Sequence, residues 1–169
     1  MDIKRVRLLV VMDESEASER ALRYVTRVVG GRRNFRVCLL HVLPPVPPAL
    51  LEFGGAQRPG EEEPLETALR QRQRKWIAGA KDAARPALYR AHGILRKAGL
   101  APGRLAAKFL DPLERGHIVE EILAQARMRR CRGIVLGRQS MSWLRELVDG
   151  DLAQALVRAA KGFTVWVVE

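Results

Sequence analysis

Short continuous apolar runs alternate along the chain with longer stretches in which apolar residues recur every three or four positions. The runs are VRLLVVM (Val6–Met12), FRVCLLHV (Phe35–Val42), RLAAKFL (104–110), GIVLG (Gly133–Gly137) and FTVWVVE (163–169). Runs with no polar alternation predict strands buried on both faces, as in a parallel sheet covered by helices.

The stretches between them carry helical spacing. From Ser15, Ala21, Leu22, Val25, Val28 and Val29 share one face, and Gly30-Gly31 stops the pattern. A long helix is predicted over 65–98, with Leu69, Trp76, Ala80, Ala84, Ala87 and Ala91 on its stripe, a kink at Pro86 and Gly99 as its end. Asp111-Pro112-Leu113-Glu114 offers an N-cap, a proline at the first helical position and an acid, ahead of the stripe Ile118, Val119, Ile122, Leu123 and Ala126. A last helix is expected over 151–160. The segment 43–64 holds most of the prolines and an acidic run, so it is expected to be an exposed irregular loop, a lid or a contact surface. Strands alternating with helices predict a single-domain, doubly wound α/β fold spanning 1–169.

Composition narrows the function classes. A chain of 169 residues fits one domain, since domains of that size bury roughly 70% of their unfolded surface. Its longest apolar runs fall far short of the ~20 residues of a membrane span, and the apolar stretch after the first basic residues leads into acids without a cleavage site. A soluble cytoplasmic protein is expected. Cys38 and Cys131 lie in or beside apolar runs without a C-x-x-C or Cys/His cluster, and His41, His92 and His117 are scattered. No metal site is expected, and both thiols read as buried and reduced.

The net charge of +11 raises a polyanion reading. Its densest stretch puts Arg70, Arg74, Lys81 and Arg85 on the solvated stripe of an amphipathic helix. A second cluster, RMRRCR (127–132), sits where a helix ends and where cations offset the dipole. Few aromatics and no nucleic-acid-binding motif argue against a specific nucleic-acid partner.

One stretch has the layout of a phosphate loop. In GRQSMSWLRELVDGDLAQAL (137–156) a strand ends at Gly137 and a helix resumes near Asp151. The order of elements and three local patterns resemble the universal stress protein family over essentially the whole chain. These are VVMDESEASERAL, the helix after Asp111-Pro112 followed by CRGIVLGRQ, and the 137–156 stretch with its terminal FTVWVV.

The resemblance implies a five-stranded parallel sheet in the order 3-2-1-4-5, helices on both faces, and homodimers often made through the last strand, here Phe163, Thr164, Val165, Trp166, Val167 and Val168. In that order Asp13 and Gly137 flank the crevice where open α/β sheets bind ligands. The family's nucleotide-binding members carry G-x-x-G and, nine residues on, glycine and a hydroxyl residue that hold ATP phosphates. The matching positions are Gly137, Ser140, Gly150 and Asp151, with Arg138 in the same loop, Asp13 on the ribose and adenine side, and Val42 against adenine.

Two residue types depart from that pattern. Serine at 140 in a left-handed conformation would cost roughly 1 to 2 kcal/mol. A carboxylate at 151 about 4 Å from one phosphate charge is unfavourable by about 1 kcal/mol in water and about 4 at an effective dielectric near 20. Asp151 also suits a helix cap, with Gln154 reaching back, and a helix start holding its own carboxylate has less to offer an anion. Against this, Arg138 and Arg145 share the loop and Mg²⁺ can bridge a carboxylate to phosphates.

Met141, Trp143, Leu144, Leu147 and Val148 make the middle of the loop apolar, which suits cover for the sheet edge or for a partner chain. Asp13, with Ser15 and Ser18 nearby, equally suits organisation of the turn into the first helix, and Val42 needs no ligand to explain it. The expectation is a dimeric stress-response or regulatory binding module with an unknown protein partner, no resident cofactor, and ATP binding weakened or lost. The alternatives are an ATP–Mg²⁺ switch or slow ATPase using the 137–151 loop, and a non-specific polyanion binder using basic helix faces. No catalytic residues are assigned.

Overall fold

The computed structural model describes residues 5–52, 54, 58, 60–111, 117–144 and 151–169. Strands β1 (Val6–Met12), β2 (Phe35–Val42), β3 (Leu105–Leu110), β4 (Gly133–Gly137) and β5 (Thr164–Val168) form one sheet in the order β3-β2-β1-β4-β5. Every neighbouring pair is parallel. Helices α1 (Glu16–Val29), α2 (Glu62–Lys97), α3 (Ile118–Met128) and α4 (Leu152–Ala159) make the connections.

Successive residues of a strand point to opposite faces, so each apolar run feeds two cores at once. Leu8 and Val10 of β1, with Leu39 and Val135, pack under Val25 and Val29 of α1 and Leu88, Ala91 and Leu95 of α2. Leu9 and Val11, with Leu40, Ile134 and Leu136, pack against Ile122 and Leu123 of α3 and Leu156 of α4. Each fully buried leucine or valine contributes roughly 1.5–3 kcal/mol, which is why the unalternated runs settle in the centre of the sheet.

Several details differ from expectation. Helix α2 begins at Glu62 rather than 65, because Pro64 falls within the first turn, where the missing N–H has no helical partner to lose, and Glu62 and Glu63 suit the positive end of the dipole. The helix continues through Pro86, and its buried residues, Ala84, Ala87, Leu88, Ala91 and Leu95, lie in the second half; Leu69, Trp76 and Ala80 are only half-buried.

The segment after β2 is not wholly exposed or irregular. The Leu43 amide donates to the Leu110 carbonyl, Leu43 and Val46 are fully buried, and Pro48–Leu50 forms a 3-10 turn. Helix α3 starts at Ile118, and Asp111 pairs with Lys81 of α2 at 2.6 Å instead of capping that helix; Pro112, Leu113 and Glu114 lie outside the described residues. Phe163 precedes β5, its ring beneath the Arg127 guanidinium at 5.9 Å.

Candidate functional site

At the carboxyl end of β1 the chain turns into α1 through a closed network of hydrogen bonds. Ser15 is the N-cap of α1 and its side chain accepts from the Ser18 amide. Asp13 Oδ1 accepts from the Ser15 amide at 3.1 Å, the Ser15 hydroxyl and the Ser18 hydroxyl at 2.6 Å. The Asp13 amide in turn donates to Ser18 Oγ at 2.9 Å. Asp13 Oδ2 reaches across the crevice and accepts from the Met141 amide at 2.9 Å. A carboxylate offers about four acceptor positions, so Oδ1 is saturated and Oδ2 retains one position at most.

Beyond β4, Gly137 is held by packing. A Cβ there would lie 2.1 Å from the Ala17 carbonyl oxygen, because the first turn of α1 sits directly on the end of β4. The Ser140 hydroxyl and amide both return to the Gly137 carbonyl, at 2.8 and 3.1 Å. The left-handed backbone expected at Ser140 falls instead on its neighbours Gln139, with φ 65°, and Met141, with φ 55°. Two non-glycine residues in that region cost roughly 1–2 kcal/mol each. At Met141 the compensation is visible: its amide binds Asp13, and its side chain is 1% exposed in the core cluster that also contains Val11, Val42 and Leu136.

The remaining candidates divide. Val42 is 1% exposed in the same core. The Arg138 amide donates to the Val168 carbonyl at 2.7 Å, and its guanidinium pairs with Glu169 at 2.6 Å. Asp151 is the N-cap of α4 and accepts from the Ala153 amide at 3.1 Å; the return bond expected from Gln154 is not formed among the described residues. Gly150, Arg145, Leu147 and Val148 lie outside those residues, as does the Leu144 side chain.

Asp13 and Asp151 line different cavities. One of about 130 Å³ joins Asp13, Glu14 and Ser15 to Arg90 and Ile94 of α2, and one of about 220 Å³ joins Arg138 and Asp151 to Gln154, Arg158 and Val167.

Residues outside the expected set also shape this end of the sheet. Ala17, which forbids a side chain at 137, carried no signal of its own. His41, in β2 beside Met12, is buried, has no partner for either ring nitrogen among the described residues, and packs edge-on to Phe109 at 5.7 Å. Burial lowers its pKa, opposed by the charges of Glu14 and Asp13. Burial likewise raises Cys38 and pushes Cys131 up to about 11, so neither thiol is poised for nucleophilic chemistry. Among the described residues no cluster of side chains suits a metal ion, and no helix is long and apolar enough to cross a membrane.

The sheet order, with its switch point between β1 and β4, is that of a known fold. Residues 5–169 match the family model described as the universal stress protein family. The chain belongs to that family. The structure is similar to a universal stress protein family member from Burkholderia pseudomallei, at 17% identity, over 99% of this chain and 98% of that chain, with a TM-score of 0.61. It is also similar to a universal stress protein solved in complex with cAMP, at 14% identity, over 98% of each chain, with a TM-score of 0.60. A third likeness is to the universal stress protein from Archaeoglobus fulgidus in complex with dAMP, at 18% identity, over 99% of each chain, with a TM-score of 0.53. At these identities the likeness is one of fold. No curated protein matches the chain.

The last strand of this universal stress protein is half-buried from Val165 to Val168, with Thr164 exposed. A groove of about 770 Å³ separates it from Arg20, Arg23, Tyr24 and Arg27 of α1, and the Tyr24 and Trp166 rings meet edge to face at 6.1 Å.

Proposed function

We propose that this universal stress protein is a cytoplasmic regulatory binding module that acts through a protein partner rather than by catalysis, with its nucleotide crevice closed by its own residues. The observation that carries the reading is the bond from the Met141 amide to Asp13 Oδ2 at 2.9 Å. It draws the loop after β4 across the crevice and uses the carboxylate that a ribose or base would need, while the Met141 side chain fills the space beneath. Asp151 occupies the Ala153 amide at the start of α4, which would otherwise be free to meet phosphate, and its charge opposes a phosphate there by about 1 to 4 kcal/mol depending on screening.

The cAMP and dAMP complexes of the two structural neighbours support the rival reading, a nucleotide-controlled switch using Asp13, Gly137, Ser140 and Gly150. Calorimetric titration of ATP, with and without Mg²⁺, into the unmodified protein and Asp151→Ser separates the two. Micromolar binding by the unmodified chain that is abolished by Asp13→Ala, and so lies in the crevice, would sink the closed-crevice reading. Binding gained only by Asp151→Ser supports it. The basic stripe of α2 gives less support to a polyanion role, because Arg70, Lys81 and Arg85 are paired with Glu66, Asp111 and Asp82.

The same reading makes the protein a homodimer through β5. An apolar edge strand with unpaired backbone groups is a template for a second copy, and the groove beside it is lined by Tyr24, Trp166 and three arginines. Val167→Arg is expected to yield monomers by light scattering, whereas a monomeric unmodified protein at micromolar concentration would refute the dimer.

A further inference from the structure

The strands of a parallel sheet all start at one edge, and here that edge is basic. Arg7 enters β1, Arg36 enters β2, Arg104 precedes β3, and Arg129 stands at the end of α3 ahead of β4. These four arginines line a single cavity of about 300 Å³ on the α3 side, floored by Val37, Cys38, Leu105 and Ala106. The opposite edge carries Asp13, Glu14, Asp111 and Asp151.

Helix-dipole compensation does not account for the cluster. The last turns of the helices already contain cations, Arg27 in α1, Arg96 and Lys97 in α2, Arg127 in α3 and Arg158 in α4. The Arg7 guanidinium donates to the Arg129 carbonyl at 3.0 Å and so closes the end of α3, which explains Arg7 alone. That bond also brings a second cationic side chain against the residue that carries Arg129's own guanidinium.

All four arginines are half-buried rather than extended into solvent. Arg129 Nε is buried with no hydrogen-bond partner among the described residues. Among the described residues no carboxylate lines the cavity, and none of Arg36, Arg104 and Arg129 forms an ion pair. Partly desolvated like charges held together, with a buried donor left over, are complementary to an anion of matching multiple charge.

We propose that this cavity is a binding site for a compact oligophosphate anion, distinct from the crevice at the carboxyl edge. Guanidinium forks pair with phosphate oxygens two at a time, which favours phosphate over a monovalent spherical ion. The volume lies at the lower end of the roughly 300–1,000 Å³ range of small-molecule sites, so a diphosphate or triphosphate group fits better than a long polymer. The open face beside β3, where Ala106 is exposed, leaves room for whatever the phosphate group is attached to. The ligand is either a free inorganic oligophosphate or the phosphate tail of a nucleotide.

Calorimetric titration of sodium tripolyphosphate and, separately, ATP tests the site in the full chain and in the double variant Arg36→Gln/Arg104→Gln. The expected result is one tripolyphosphate bound per chain, weakening as salt is raised and losing about tenfold or more in affinity in the double variant. ATP behaving in the same way assigns the site to the nucleotide tail as well; tripolyphosphate binding alone assigns it to the free anion. No tripolyphosphate binding, or binding unchanged in the double variant, overturns the proposal. A readout independent of variant folding comes from phenylglyoxal labelling of the unmodified protein. Tripolyphosphate is expected to protect Arg36, Arg104 and Arg129 selectively, and uniform labelling with and without it refutes the site.

Discussion

Replacing Asp13 by asparagine separates a carboxylate that holds the fold from one kept for a ligand. The substitution preserves shape but turns one oxygen into an NH₂ group. If that group faces Met141, two donors oppose each other across 2.9 Å; if it faces α1, it meets the Ser15 amide, which cannot rotate away as the two hydroxyls can. Either way one backbone donor loses its acceptor, at a cost of about 1–3 kcal/mol, and the surviving bonds lose their charge assistance. Asp13 is only half-buried, so the larger values are reduced by solvent, and a total of about 2–3 kcal/mol is expected. For a chain of this length each kcal/mol lowers the melting temperature by roughly 2–4 °C, which gives a fall of roughly 4–12 °C. Thermal and urea unfolding followed by circular dichroism measure it. A loss under about 0.5 kcal/mol, in the range of an ordinary surface substitution, together with loss of nucleotide binding, would refute the structural role and return Asp13 to the ligand.

Gly137→Ala is expected to destabilise by about 1–3 kcal/mol or more, because the new methyl group must push the first turn of α1 off the sheet at Ala17; an unchanged urea midpoint contradicts that contact. His41 is neutral in the folded chain with its pKa held below the ordinary value, so its contribution is intact above about pH 6.5 and is lost as pH falls further and only the unfolded chain takes up the proton. His41→Leu should flatten that acid limb of the stability profile. Cys131 has the opposite window: its folded pKa is raised to about 11, so stability present below about pH 9 declines between those values as the unfolded thiol ionises first. Stability measured across pH 8–11 in Cys131→Ser should lose that decline, and rapid alkylation of the native thiol near neutral pH contradicts its burial.

Much of the architecture is written locally in the chain. The unalternated runs of β1, β2 and β4 state that both faces are covered, and the spacing of Leu22, Val25 and Val29 states which side of α1 is buried. The cap Asp151 is legible for the same reason, since a cap joins a side chain to an amide two or three residues away. The sheet order came from resemblance to the family rather than from any run by itself, and the structure has that order.

Tertiary structure decided how the crevice is used. The bond between Asp13 and Met141 spans 128 residues, and the pair of Lys81 with Asp111 spans 30. The clash that reserves position 137 for glycine involves Ala17, an ordinary helix residue until α1 is laid on β4. The left-handed strain lies on Gln139 and Met141 because the loop must return both polar atoms of Ser140 to Gly137 while sinking Met141 into the core. The four arginines around one cavity stand far apart in the chain and meet because every strand of a parallel sheet begins at the same edge. Periodicity and caps act over a single turn of chain, so the sequence alone determined the elements and their buried faces. Which side chains share a carboxylate, a crevice or a cavity depends on contacts that exist only after the strands have paired.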